Sequence, residues 1–442
     1  MKRNHITAWI ATAVLLAGCD SPLDTAPTDS IDSGDALTTA RGVELAINGA
    51  YSGLQTFALY SLELTVYPDL YADNLDFTGT FGTHGEVGNS DISASNGAIL
   101  GAWEDLYDLV NRANNIIAAV PAVTDFTAGQ AVQFEGEALF LRALSYLNAV
   151  RYWGGVPLVL EPSTDVTEES NVARSSPPEV YAEIEADLQQ AATLLPASGS
   201  RGRATVGAAN AVLARAYLEQ GKWEQARDLA TAVIESGEYS LTPDYTDLFE
   251  VQNTVGSILE IQYSVNDANG QAFWYFPQSL GGRRGFAPTS ELFNAFEAGD
   301  VRRDFSIGAE ADGNLYGSKY FRISNGDDNV FVIRLAEMYL ARAEANARLG
   351  APTTVVQDDI NSIRNRAGLA ALDPTVVAEE DLITAILQER RVEFAFEGHR
   401  FFDLRRTGRA IEVLGFSDRQ LLFPVPQAEL DVNPNLDQNP GY

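Results

Sequence analysis

Along the chain, apolar residues return at three-to-four spacing in a series of stretches. That spacing predicts helices over Thr38–Leu54, Ile99–Val120, Ala131–Trp153, Pro178–Leu194, Ala204–Gln220, Trp223–Ser236, Phe331–Leu349, Val355–Ala367 and Glu379–Phe396. Glycines suited to a left-handed cap close several of them, at Gly221, Gly237, Gly350, Gly368 and Gly398. Strand signal is thin and is best at Ser257–Tyr263, "SILEIQY". The pattern therefore predicts a mainly α protein.

One predicted pair carries more detail. In "AANAVLARAYLEQGKWEQARDLATAVIESGEY", Ala208–Tyr239, the residues Ala214, Tyr217, Gly221, Trp223, Ala226, Ala230 and Val233 stand at tetratricopeptide spacings. Small side chains let two antiparallel helices approach, and Tyr217 and Trp223 fill the space between them. Related small-aromatic signatures occur at "RALSYLNAV" and "AEANARLG", but at unequal separations. The expectation is helical hairpins interrupted by long insertions, not a regular solenoid.

The insertions differ in character. Leu62–Asn96 and Asp267–Phe286 mix aromatics with Asp, Asn, Gly, Ser and Thr, and both read as long irregular loops. Loops of such length are uncommon unless functional or disordered, and the aromatic content argues against disorder. Rings beside short amides, carboxylates and guanidinium groups suit a sugar, whose apolar face stacks while its hydroxyls are bonded. On that chemistry the candidate ligand residues are Tyr71, Asp73, Asn74, Phe77, Phe81 and His84 in the first segment. Phe273, Trp274, Tyr275, Arg283 and Arg284 are the candidates in the second. Trp103 is expected in the core.

Composition narrows the classes. The 442 residues carry a formal charge of −31, which disfavours nucleic acid as a partner. With three histidines and one cysteine, no His-rich or cysteine-held metal site, haem or other cofactor is expected, and a loop-bracing calcium ion is left open. That cysteine, Cys19, ends "LLAGC", after a basic start and an apolar run too short to span a bilayer. The segment resembles a lipoprotein leader, residues 1–18, cut before Cys19. Acyl chains on Cys19 would then hold the protein on a membrane, each buried methylene contributing about 0.8 kcal/mol. Residues 19–36 are expected to comprise the acylated cysteine and a flexible, polar tether.

The C-terminal third adds a resemblance. "EMYLARAEANARLG", "INSIRNRAGL", "LITAILQERRVEFAFEGHRFFDLRRTG" and "LLFPVPQAELDVNPNLDQNPGY" follow one another in that order. Upstream stand "AWEDLYDLVNRANNII" and "EALFLRALSYLNAVRYWGGVPLVL". Together they closely resemble the SusD/RagB family of outer-membrane nutrient-binding lipoproteins. The resemblance implies one SusD-like domain over 37–442, with an N-terminal portion to about 240 and a C-terminal portion from about 241. It implies tetratricopeptide-like hairpins under a loop-rich ligand face, and no catalysis. It further implies a surface-facing lipid anchor and a role as hinged lid of a SusC-type TonB-dependent barrel transporter, presenting an oligosaccharide or other nutrient.

The residues themselves leave two rivals: an extracellular glycoside hydrolase, which needs a carboxylate pair about 5–9.5 Å apart, and a scaffold binding only protein. In "ERRVEFAFEGHRFFDLRRTG" the charges Glu389, Arg391, Glu393, Glu397, Arg400, Asp403 and Arg405 alternate in sign among phenylalanines. This is expected to be a partly buried ion-pair network. The tail "NPNLDQNPGY" is expected to clamp the chain end.

Overall fold

The computed structural model describes residues 36–163 and 171–442. The expected leader, Cys19 and the expected tether up to Asp35 lie outside the described residues. Among the described residues no helix is long and apolar enough to cross a membrane.

Among the described residues nine long helices form the frame: α1 Ala40–Gly53, α2 Gly97–Ala119, α3 Gln130–Trp153, α4 Pro177–Leu194, α5 Val206–Glu219, α6 Trp223–Glu235, α7 Leu335–Arg348, α8 Thr353–Arg366 and α9 Glu379–Glu393. Each lies within a few residues of its predicted span, and all five predicted cap glycines have positive φ. From α2 to α8 each helix packs on the next, and α1 closes the row against α2 and α3. The step from α6 to α7 skips about a hundred residues of chain without breaking the row. The hydrophobic core accordingly runs from Ala40 to Leu436 across both predicted portions. Alanines make the close approach: Ala208, Ala211, Ala214, Ala226, Ala230, Ala341 and Ala345 are all fully buried.

Among the described residues sheet is confined to antiparallel pairs: β1 Leu75–Phe77 with β5 Phe286–Pro288, β2 Val156–Pro157 with β3 Arg174–Ser175, β4 Ser257–Ile261 with β8 Val330–Arg334, and β6 Ile307–Ala309 with β7 Leu315–Gly317. The predicted strand in 257–263 is β4. Its partner β8 occupies the first turn of the helix expected from Phe331. The run Val330–Phe331–Val332–Ile333 is β-branched and aromatic, prefers extended backbone, and is buried throughout, so the helix starts only at Leu335.

The segment Leu62–Asn96 departs most from expectation. It is not a long irregular loop. Glu63–Leu70 is a helix with all eight residues buried, and after β1 comes a short helix, Gly82–Gly88. A helix surrounded on every side shows no polar stripe, and Pro68 inside it mimics a breaker.

The predicted ion-pair network is present, and it is more deeply buried than expected. Glu393, fully buried, faces Arg302 at 3.0 Å and also Arg334 and Arg366. Arg334 reaches Glu397 at 2.8 Å, and Lys319 reaches the same carboxylate at 2.7 Å. Arg390 and Arg406 grip Asp403 at 2.8 and 2.7 Å. The tail closes against α3: Asn439 donates to the carbonyls of Trp153 and Phe423 at 3.0 and 2.7 Å, and the Tyr442 hydroxyl donates to Leu422 O at 2.9 Å.

Candidate functional site

The pairing of β1 with β5 sets Phe77 opposite Phe286 and joins the two segments that hold the candidate ligand residues. Thr78 N extends the ladder by donating to Gly285 O at 2.9 Å. The two candidate sets therefore contribute to one aromatic cluster centred on Trp274.

Around that indole stand His84 at 5.3 Å, Phe286 at 5.5 Å, Phe81 at 5.8 Å, Phe57 at 6.0 Å and Phe273 at 6.2 Å between ring centroids. The Arg283 guanidinium lies 4.5 Å from the Phe81 centroid and 5.0 Å from that of Trp274. Trp274 itself is only 8% exposed, whereas Phe81, Phe273 and Phe57 are exposed by 46%, 45% and 43%. The tryptophan is the floor, and three phenylalanines and one guanidinium form the accessible surface.

Backbone bonds hold this surface. Gln271–Tyr275 is a single helical turn, and the returning chain pairs with it. Arg283 N donates to Phe273 O at 2.7 Å, Arg284 N to Phe276 O at 2.7 Å and Gly285 N to Trp274 O at 2.8 Å. The returning strand lies flat on the indole, since a Cβ at Gly285 would fall 2.5 Å from a Trp274 ring carbon. Only glycine permits that approach.

Beneath the floor sits a neutral polar group. The Tyr67 hydroxyl is 2.8 Å from His84 Nδ1, and Glu63 lies 3.8 Å from the same nitrogen. Burial pushes the Glu63 carboxyl up to about 8 and pulls the His84 imidazole down to about 4, with the Arg283 charge adding to the latter. At neutral pH both are mainly uncharged, so Arg283 is the ionised group of the cluster.

Other nominated residues serve the frame. Tyr71 is fully buried, ringed by Phe423, Phe401 and Phe416 at 4.8, 4.9 and 5.1 Å, and its hydroxyl donates to Gln420 O. Asp73 accepts from Arg400 at 2.7 and 2.9 Å and pairs with Arg391 at 3.1 Å. Burial works against its charge, but those arginines hold its carboxyl below the usual range. Asn74 is buried, bonded to Asp69 and Arg391. Tyr275 is buried against Phe396, and Arg284 donates to Leu315 O at 2.8 Å. Phe77 is half-buried, 5.8 Å from His84. Phe57, which sequence reasoning missed, comes from the irregular turn after α1, where no motif marks it.

A second concavity, about 330 Å³, opens between α2 and the C-terminal tail. Trp103, buried as expected, and Tyr107 wall it together with Glu104 and Glu429. No cluster of potential metal ligands occurs among the described residues.

Comparison with known proteins agrees with this architecture. The family model described as "SusD family" matches residues 315–420, and that described as "Starch-binding associating with outer membrane" matches residues 62–218. SusD-like protein P2 of Formosa agariphila is 28% identical over the whole of both chains. Starch-binding protein SusD of Bacteroides thetaiotaomicron is 33% identical over 129 residues, covering 26% of this chain and 22% of its own. A solved structure described as a laminarin binding SusD-like protein superposes with a TM-score of 0.83 at 28% identity, covering 92% of this chain and all of that one. With the row of helical hairpins and both family models in place, the chain belongs to the SusD/RagB family.

Proposed function

We propose that the protein is a non-catalytic glycan receptor, anchored to the outer membrane through acylated Cys19 and facing the cell surface. There it serves as the lid of a SusC-type TonB-dependent barrel, taking an oligosaccharide on the Trp274 patch and passing it to the pore. The observation that carries the reading is the exposed trio Phe57, Phe81 and Phe273 set on a rigid indole floor beside a guanidinium. Aromatic faces flanked by a few fixed polar groups suit a pyranose, which has an apolar face and a polar rim. The starch- and laminarin-binding names of the relatives support the ligand class. Against hydrolysis stands the make-up of the patch: the groups gathered on Trp274 among the described residues are rings and a guanidinium, not a pair of carboxylates.

Calorimetry against a panel of oligosaccharides, with Phe81→Ala/Phe273→Ala alongside the native chain, tests the reading. The double variant is expected to lose at least tenfold in affinity while keeping its melting temperature, because both rings are already half in water. Equal binding by the variant would remove this patch as the site, and new reducing ends in the native incubation would restore the hydrolase. Co-purification of a barrel protein with the native chain, and its loss with Cys19→Ser, tests the anchored partnership.

A further inference from the structure

Arg283 stands apart from the other basic side chains. The chain has 30 lysines and arginines against 61 acids, and pairing is nearly universal among those described. Arg283 is the one described basic residue whose side chain has neither an ion pair nor a hydrogen bond; it touches the faces of Phe81 and Trp274. Even its neighbour Arg284 is bonded to a carbonyl. In a chain where acids outnumber bases two to one, an exposed guanidinium left without a carboxylate is a charge held open.

Its position adds to this. The backbone of Arg283 is tied to Phe273 O, and the two rings support its charged head. It borders the phenylalanine faces on which a sugar ring would rest. A guanidinium lifted partly out of water over aromatic faces gains more from an anion, through paired charge-assisted bonds, than from a neutral hydroxyl. The overall charge of −31 repels anions at a distance, but at physiological salt that field is screened beyond about 8 Å, and contact chemistry decides.

Resting on the glycan-binding reading above, we propose that the patch selects glycans bearing an anionic substituent, a uronate carboxylate or a sulfate ester, with Arg283 as its bidentate partner. Phe81 and Phe273 hold the adjoining ring.

The test is calorimetric titration of the full chain with matched pairs. Oligogalacturonate is compared with its carboxyl-reduced form, a sulfated galactan oligosaccharide with its desulfated form, and laminarin oligosaccharides supply an uncharged glycan. One charged member is expected to bind at least tenfold tighter than its uncharged match, and which pair responds separates carboxylate from sulfate. Arg283→Gln should bring that ratio close to one with an unchanged melting temperature, and Arg283→Lys should restore part of it. Tighter binding of the uncharged members, or a ratio that survives Arg283→Gln, overturns the anionic preference and leaves glycan binding intact. Absence of binding to all five carbohydrates overturns both.

Discussion

In the C-terminal core Arg334 lies 4.5 Å over the ring of Phe394, and at the patch Arg283 lies 4.5 Å over the ring of Phe81. The local contact is the same, and the surroundings make different uses of it. Arg334 is 1% exposed and is bonded to Glu393 and Glu397, because a buried charge without a partner costs several kcal/mol. Arg283 keeps its water on one side, needs no partner to be tolerated, and so retains an unsatisfied charge. Ring-stacked arginine is thus structural where it is enclosed and available where it is open.

The comparison breaks most visibly at Glu393. Despite burial, Arg366, Arg334 and Arg302 hold its carboxyl well below the usual range. Glu393→Ala strips a partner from all three, and denaturant unfolding should register a loss of about 3–5 kcal/mol. A loss under 1 kcal/mol would mean the network is ornamental. Arg283→Gln, by contrast, should leave the unfolding midpoint where it is.

A smaller effect is expected at the floor of the patch. Gly285→Ala drives a methyl into the indole, and overpacking of this kind costs about 1–3 kcal/mol while tilting the surface that the phenylalanines present. An unshifted melting curve with intact glycan binding would show that the loop gives way freely.

The most gradual effect is in pH. The Glu63 carboxyl rises from 4.5 to about 8 on folding, so its contribution to stability is complete below pH 4.5 and is lost as pH climbs towards 8. The His84 imidazole falls to about 4, so its contribution is present above 6.5 and is lost on acidification, in native and variant chains alike. Glu63→Gln removes only the first effect. Its unfolding free energy should gain on the native chain between pH 5 and 8, by at most about 1.4 kcal/mol per pH unit. A constant gap over that range would show that the carboxyl does not change its protonation on folding.

Much of the frame was legible because its helices are long, 13 to 24 residues, and keep apolar residues at three-to-four spacing over several turns, and the spacing of small residues in α5 and α6 encodes their approach. The helix Glu63–Leu70 was not, since enclosure on all sides erases the polar stripe that betrays a helix. The same enclosure misdirected the reading of Tyr71, Asp73 and Asn74: an aromatic beside short polar residues looks like a ligand loop, yet Tyr71 caps the buried helix and the other two bind Arg391. Phe81, Phe273, Trp274 and Arg283 were nominated on chemistry alone, and the β1–β5 pairing that joins them was invisible in the sequence because each strand has only three residues. Trp274 drew attention as the largest ring, but its size suits a floor.

The passage from α6 to α7, where the chain leaves for about a hundred residues and returns to the same stack, separates two histories. Substitutions at the exposed rings, Phe273 in the excursion and Phe57 and Phe81 in the stretch after α1, can alter the patch without touching a rung of the stacked helices, whereas Arg302 and Lys319 in the same excursion are tied into the buried ion pairs. The surface of the patch can therefore drift while the buried chassis beneath it stays fixed.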